Sequence, residues 1–474
     1  MLSLKTPVAA LLALTAAIGT SASFAADGDL DPSFGTGGIA YITPDLVDAQ
    51  ELQPYKAIVL PDGKILFGGS LDAPTTVPFE QTYRGMLARF NADGTVDTGF
   101  GNSTIPGVVA LPQLVSDHRM ENIESFARFD DGSLVAVGIS QVTSAEKGFV
   151  VKMDENGTID TTFAGGAGYV LIPLYYAHAV GIDSQGRIVV AGETIDTGIY
   201  TANVMRFNAD GTPDTTFGDN GTVSLAWDGA GNSGYLADLI VTADDGVIVA
   251  GRYEVYGSGL GADYAIAKLD SSGAPDAAFG DNGSRVFHDP SDSSMINAIL
   301  RIAATPDGGI AWAGYYYVSD TGSNPLIVGH LAGDGATDEA FGDAATPGYF
   351  RPAVEPTASS VYPSALLVQP DGKLVVSATF SAFPDKEQFL AIRATADGQL
   401  DPDFGAAGIV EIDLAPPPDG AYSESSAAAL QPDGRIILGG RAQLTSDFLV
   451  DLGAVRLLNT AGPDDTIFAD GFEP

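Results

Sequence analysis

Oxygen-bearing side chains recur in this sequence at one fixed spacing, and that pattern is the first place to look for chemistry. Asn91/Asp93/Asp97, Asp154/Asn156/Asp160, Asn208/Asp210/Asp214 and Asp270/Ser272/Asp276 each set oxygens at positions i, i+2 and i+6. Several oxygens converging on one loop, with a Gly that lets backbone carbonyls join them, would suit a hard cation such as calcium. The same residues also suit a purely structural role, because Asn and Asp fold back on nearby N–H groups in Asx turns while Gly takes positive φ. The variation favours the turn. Ala332 and Thr395 hold the first position in the fifth and sixth copies, and no copy ends in the Glu of a calcium loop. No cofactor is assigned, and calcium at these loops is the alternative kept open.

Histidine chemistry is sparse. His118, His178, His288 and His330 are the only four, and no two lie close in sequence, so a three-histidine metal site lacks candidates. His330 replaces the basic residue of an alternating strand (compare Arg206 and Lys268), which reads as a strand-surface position. His178 follows Tyr175 and Tyr176 just before a hairpin, where a toroidal fold could carry it to the axis. There is no G-x-S-x-G elbow for a serine nucleophile. Among 61 Asp and Glu residues no pair stands out as an acid and base of glycosidase type. Tyr175, Tyr176, Tyr253, Tyr256 and Tyr315 to Tyr317 could stack on sugars or peptides, but packing at strand ends is the preferred reading. Sequence alone names no catalytic, cofactor-binding or metal residue.

The elements that would position these side chains are three recurring motifs. The Asn/Asp loops belong to a link, NADGTPDTTFGDNG at Asn208, whose Phe returns as Phe34, Phe100, Phe163, Phe217, Phe279, Phe341 and Phe404 at steps of 54 to 66 residues. Between links lies a hairpin motif such as VLPDGKILFGG at Val59 or QPDGRIILGG at Gln431, with its turn Gly at Gly63, Gly132, Gly186, Gly246, Gly308, Gly372 and Gly434. An alternating segment precedes each later link, as in MLARFN at Met86 and NVMRFN at Asn203. One unit, Gly218 to Asp270, resolves into four short strands around the Asp-Gly turn at Asp245-Gly246. No helical period is present.

A four-stranded sheet leaves both faces needing cover, and radial stacking supplies it. The expected fold is therefore all-β: a β-propeller of seven blades, each of four antiparallel strands. The unit is long for a blade, and the surplus lies in connections such as Ser70–Tyr83, Gly101–Arg119 and Gly342–Val361. Each link Phe reads as a wedge between blades. The strand Gly37–Ile42 comes before the first hairpin, and as the outer strand of the last blade it would latch the ring. Aligned on Asn208, the ending from Asn459 matches an eighth link, with Gly462, Asp465 and Phe468 in place of Gly211, Asp214 and Phe217.

The bulk properties bound the partners. Lys and Arg number 22 against 61 Asp and Glu, a net charge of −39, which repels nucleic acid and anionic lipid. With no Cys, disulfides and thiolate sites are excluded. Lys5, the apolar run Val8–Gly19 and the small residues through Ala25 read as a cleaved export signal, too short to span a membrane. The expected organisation is signal peptide 1–25, seven-repeat propeller 26–460 and tail 461–474. The expected location is secreted, periplasmic or cell-surface, and the expected state is a monomer without membrane insertion.

Together LDPSFGTGG at Leu30, RFNADGTPDTTFG at Arg206 and QPDGRIILGG at Gln431 resemble the delta-60 repeat family of exported bacterial proteins. The resemblance spans about Asp27 to Phe468, departing at Ala164 and at Ser184-Gln185-Gly186. It implies a repeated, propeller-like β architecture and no common activity or catalytic set. Two functional readings follow. The preferred one is a non-enzymatic propeller whose loops bind an extracellular protein, glycan or surface polymer. The other is a hydrolase or lyase working near the ring axis. His178 clustered with two or more buried carboxylates would decide for the second.

Overall fold

The computed structural model describes residues 26–44, 51–73, 82–101, 105–115, 120–142, 145–225, 227, 232–255, 261–288, 297–342, 344–354, 359–382, 386–414, 422–444 and 450–460. Residues 1–25, expected to be a signal peptide, and the tail 461–474 lie outside them, as do His118 and Tyr256.

Apart from one 3₁₀ turn at Phe163–Gly166, every regular element among the described residues is a strand. The chain opens with β1 (Ile39–Ile42), and then repeats one four-strand meander. The first is β2 (Leu52–Val59), β3 (Ile65–Ala73), β4 (Thr82–Phe90) and β5 (Val108–Ala110); the second is β6 (Met120–Arg128), β7 (Leu134–Val142), β8 (Ala145–Met153) and β9 (Tyr169–Ile172). The third is β10 (Tyr176–Ile182), β11 (Ile188–Asp196), β12 (Ile199–Phe207) and β13 (Thr222–Ser224). The fourth is β14 (Ser233–Val241), β15 (Val247–Glu254), β16 (Ala262–Leu269) and β17 (Ser284–Phe287). Next come β18 (Ala298–Ala304), β19 (Ile310–Tyr315), β20 (Leu326–Leu331) and β21 (Tyr349–Phe350). They are followed by β22 (Ser360–Val368), β23 (Leu374–Ala382), β24 (Lys386–Ala394) and β25 (Ile409–Ile412). The last strands are β26 (Ser423–Leu430), β27 (Ile436–Ala442) and β28 (Asp451–Leu457).

Pairing within each meander is antiparallel in chain order. One parallel bridge, Tyr83↔Met120, joins the first two meanders into an eight-stranded sheet, and the others stand as separate four-stranded sheets. The last of these is completed from the other end of the chain: β1 pairs with β28 from Ile39↔Val455 to Ile42↔Leu452. The latch expected from Gly37–Ile42 thus forms in the register its alternation allows.

The hairpin turns that organise the meanders use positive φ at one residue. Gly63, Gly186 and Gly434 adopt φ of +82°, +73° and +85°. The fourth copy departs from the sequence expectation, since Asp245 (φ +62°), not Gly246, takes this position. Its strain is offset by the neighbouring turn: Ser184 donates its N–H and hydroxyl to Asp245 at 2.9 and 3.0 Å, and Gln185 Nε2 donates at 2.9 Å.

Apolar faces of successive sheets close on one another. Phe126, Leu134 and Val151 meet Leu66 and Leu87 in one core, and Val204 and Val189 meet Leu236 and Val249 in another. The series returns to its start, with Ala429, Ile437 and Leu452 packed against Leu52, Ile65 and Phe67.

The links join the sheets, and each is first pinned to its own strand. The third-position Asp faces a basic residue eight positions earlier: Arg89–Asp97 at 2.9 Å, Arg206–Asp214 at 2.8 Å, Lys268–Asp276 at 3.1 Å and Arg393–Asp401 at 2.8 Å. His330 belongs to this series. Its Nδ1 lies 2.9 Å from Asp338 Oδ2 and its side chain is buried, so it is not the strand-surface residue the alternation suggested. The link Phe lies under the same cation, with the Arg206 guanidinium carbon 4.4 Å from the Phe217 centroid. The N–H after six of the seven described link Phe residues then crosses to the next link, as in Gly218 to Ser272 O (2.9 Å) and Gly280 to Asp334 O (2.8 Å). The Phe wedge is real, and it works together with the cation above it.

This arrangement accounts for the i, i+2, i+6 oxygens. Asp210 Oδ1 accepts from Thr212 N–H and hydroxyl at 2.9 and 2.6 Å, while Asp214 Oδ2 turns away to Arg206. The oxygens point at different partners instead of at one centre. Burial disfavours the Asp214 carboxylate, but the Thr216 hydroxyl and N–H and the Arg206 charge together hold its pKa below the usual value. Replacing Asp214 with Ala should destabilise the protein by about 3 kcal/mol, because it strands Arg206, whose side chain is 1% exposed. Asp210→Ala, on an exposed turn, should cost far less. Calorimetric melts of the two variants with and without calcium check this, and a calcium-dependent loss at Asp210 would restore the metal reading.

Candidate functional site

One structural irregularity recurs in the first strand of every meander and determines what reaches the axis. Register slips by one between Ile123 and Ser125, between Ala177 and Ala179, and at the matching place in the other five first strands. Each slip is a β-bulge that leaves one extra residue opposite the partner strand and re-aims its side chain. The extra residues are Tyr55, Glu124, His178, Ala237, Leu300, Ser364 and Ser426. The hairpin motif's second half makes room for this. A Cβ at Gly192 would stand 1.9 Å from Tyr176 O, and at Gly138 1.7 Å from Asn122 O. The small residue near the end of each motif therefore belongs to the bulge.

The bulges line a cavity of about 450 Å³ between the first strands of all the meanders, with Tyr55, Glu124, His178, Asp238, Arg301 and Ser426 among its walls. Its two sides differ in chemistry. On one, Ser364, Ser377 and Ser425 hydroxyls bond to each other at 2.6 to 3.2 Å, and Thr379 donates to Ser425 O at 3.0 Å. On the other, charges converge from β6, β10, β11, β14 and β18.

His178 is the centre of that charged side. Its Nε2 lies 3.1 Å from Glu193 Oε2, and the Tyr176 ring stacks on it with centroids 5.4 Å apart. Glu193 is 1% exposed and is pinned from behind, its Oε1 accepting the Leu236 N–H of the next sheet. His178 keeps 32% of its side chain open to the cavity. Burial works against a charged ring, but the Glu193 hydrogen bond and the charges of Glu193 and Glu124 prevail, so the His178 pKa rises. Glu124 moves the same way for the opposite reason: burial penalises its carboxylate more than His178, Arg301 and Asn122 support it, which favours the protonated form. Arg301 donates from Nε to Ser364 O and from NH1 to Leu300 O, both at 2.6 Å. Asp238 accepts from Leu239 N–H and Ile302 N–H, each at 3.0 Å, which makes it a clamp between sheets.

The result is a proton-rich pair, His178 and Glu124, in one wall with an arginine beside it. A histidine whose charged form is favoured by a buried carboxylate can donate a proton, and a carboxyl whose pKa is raised by burial can exchange one. His178 should therefore titrate above its ordinary value of 6.5. The stability it draws from Glu193 is fully present below that unfolded value and lost as pH rises through the folded one. Ring-proton NMR checks this, with Glu193→Gln expected to lower the His178 pKa; a His178 that titrates at or below 6.5 would contradict it.

The other sequence candidates are placed apart. His288 is exposed after β17. Tyr253 is buried in the core between the third and fourth meanders, and Tyr315 to Tyr317 are half-buried. Tyr175 and Tyr176 pack edge to face at 4.5 Å, and Tyr200 and Tyr235 lie 4.7 Å apart. Glu124, Glu193, Asp238 and Arg301 went unrecognised in the sequence. A signal for the bulges was present, however. Eight residues before each positive-φ turn residue, the aligned column reads Tyr55, Glu124, His178, Ala237, Leu300, Ser364, Ser426, polar in five of the seven copies.

The fold defines a class before any comparison does: four-stranded antiparallel meanders packed in series around a common cavity. The profile of a family described as "Domain of unknown function (DUF5122) beta-propeller" matches residues 60–100, 184–217 and 369–404, each running from a hairpin motif to a link Phe. These repeats are β-propeller repeats. No curated protein matches the chain. Among solved structures, a protein of unknown function from Dyadobacter fermentans is similar at 11% identity and TM-score 0.44, over 89% of this chain and 98% of its own. The polysaccharide lyase Uly1 is similar at 9% identity and TM-score 0.48, over 86% and 90%. The NanB sialidase of Streptococcus pneumoniae gives 11% and 0.39, over 91% and 70%.

Proposed function

We propose that this is an exported, seven-bladed propeller of the delta-60 kind that works at its axis, as an acid–base catalyst cleaving a hydroxyl-rich extracellular substrate, a glycan. The observation that carries the reading is the convergence of His178 with Glu193 and Glu124 in the axial cavity. It moves the choice away from a loop-based, non-enzymatic binder, because the chemistry concentrates in a few bulges instead of repeating around the ring. His178 is the proton donor, Glu193 orients it and keeps it charged, and Glu124 is the second acid–base group. Arg301 places a positive charge in the same wall, where it can face an acidic group of the substrate. The serine-rich wall and Tyr55 offer the multiple donors and acceptors that a sugar ring requires.

The test is a panel of extracellular polysaccharides incubated with wild-type protein, scoring new reducing ends and the ultraviolet absorbance of unsaturated sugars. Release by the wild type that His178→Ala abolishes supports the reading. Binding without cleavage, unchanged in His178→Ala, returns the protein to the loop-binding alternative.

A further inference from the structure

One link of this protein is built from both ends of the chain. In the uninterrupted link after β12, Asn208 N–H donates to Thr212 O (2.8 Å), Asp214 N–H to Arg206 O (2.9 Å) and Arg206 N–H to Gly221 O (2.9 Å). Arg206 Nε meets Asp214 Oδ2 at 2.8 Å. After β28 the same four contacts recur across the termini. Leu458 N–H donates to Asp29 O (2.8 Å), Asp31 N–H to Arg456 O (2.8 Å) and Arg456 N–H to Gly38 O (3.0 Å), and Arg456 Nε meets Asp31 Oδ2 at 2.9 Å. Phe34, fully buried, lies under Arg456 as Phe217 lies under Arg206. The N-terminal residues Asp27–Gly38 thus fill a seat that in every other link belongs to the residues directly following the strand.

The residues directly following this strand carry the same motif. Asp465 and Phe468 stand three apart, as do Asp31 and Phe34 or Asp214 and Phe217. In strand register the seat begins at Leu458, the counterpart of Asn208, so the tail copy runs one residue longer than the alignment on Asn459 implied.

We propose that the seat has two claimants, and that the tail link 462–468 competes with the N-terminal link for it within one chain. Arg456 needs a carboxylate, which Asp31 supplies here and Asp465 can supply; the aromatic site beneath it takes Phe34 or Phe468. The N-terminal claimant holds the seat because it also delivers β1 to the edge of β28. The tail is tethered to the seat by Asn459 and Thr460, so whenever the N-terminal segment leaves, its replacement is already attached. Such a claimant keeps Arg456 paired and speeds departure of the segment it replaces.

The full chain tests this. A protease site is placed within residues 45–50 and a fluorophore on Thr36→Cys, which is the sole thiol because the chain has no Cys. After cleavage, loss of the labelled fragment is timed in the presence of excess unlabelled 26–43 peptide. The tail-intact chain should release the label roughly tenfold faster than Phe468→Ala or Asp465→Asn, a difference of about 1.4 kcal/mol in the competition. A 459–474 peptide should speed release from the Phe468→Ala chain. Equal release from all three chains, or retention of the fragment by all three, would overturn the proposal. Either outcome leaves the axial site untouched.

Discussion

Removing Ala26–Thr43 should lower the melting temperature by roughly 10 °C or more, the largest stability effect expected of any short deletion. The deletion strips β1 from the edge of β28 and withdraws Phe34 and Asp31 from an Arg456 guanidinium that is 7% exposed. In a Phe468→Ala, Asp465→Asn background, where the tail cannot take the seat, the lost Phe costs about 3–5 kcal/mol and the stranded buried charge about as much again. Asp31→Asn and Phe34→Ala each isolate one of these contributions and should give part of the shift. Differential scanning calorimetry of the three variants decides it. A deletion that melts with the wild type would mean that β1 does not hold the ring together.

His178→Ala and Glu124→Gln should each reduce kcat on a cleaved glycan by about 10²–10⁴, the usual contribution of a positioned acid or base, while KM changes little. Glu193→Gln should act differently. Glu193 reaches the reaction only through His178, so its loss should shift the basic limb of the pH–rate profile downward as the His178 pKa falls. Activity in Glu193→Gln should therefore recover toward low pH, where the ring is charged without help. Uniform loss at every pH would point to a collapsed cavity instead of a detuned acid.

The repeats made the architecture legible, since each hairpin motif carries its own turn and each link its own Phe. The place of β1 at the outer edge of the last sheet was expected from its position in the chain, while its register on β28 was not. What stayed hidden depended on chain reversal. Arg206 and Asp214 are visible as residues, but their pairing appears only when the link folds back on its strand, so His330 passed as a surface residue when it is buried and contacts Asp338 at the matching place in its own link. The axial site was hidden for a related reason. A bulge breaks strict alternation at one residue, which leaves Glu124 and His178 looking like errors in a strand pattern when they are the residues it turns toward the cavity. His178 was legible as an axial candidate. Its partner Glu193 lies on the adjacent strand, at a position occupied by Ser70 in the first meander and Arg252 in the fourth.

The central claim, chemistry at the axis, is tested most directly by a crystal of Glu124→Gln soaked with fragments of the glycan that the wild type cleaves. A sugar unit is expected within the axial cavity of about 450 Å³, with its glycosidic oxygen within hydrogen-bond reach of His178. A sugar bound only on the outer loops, with His178 and Arg301 facing solvent alone, would contradict it.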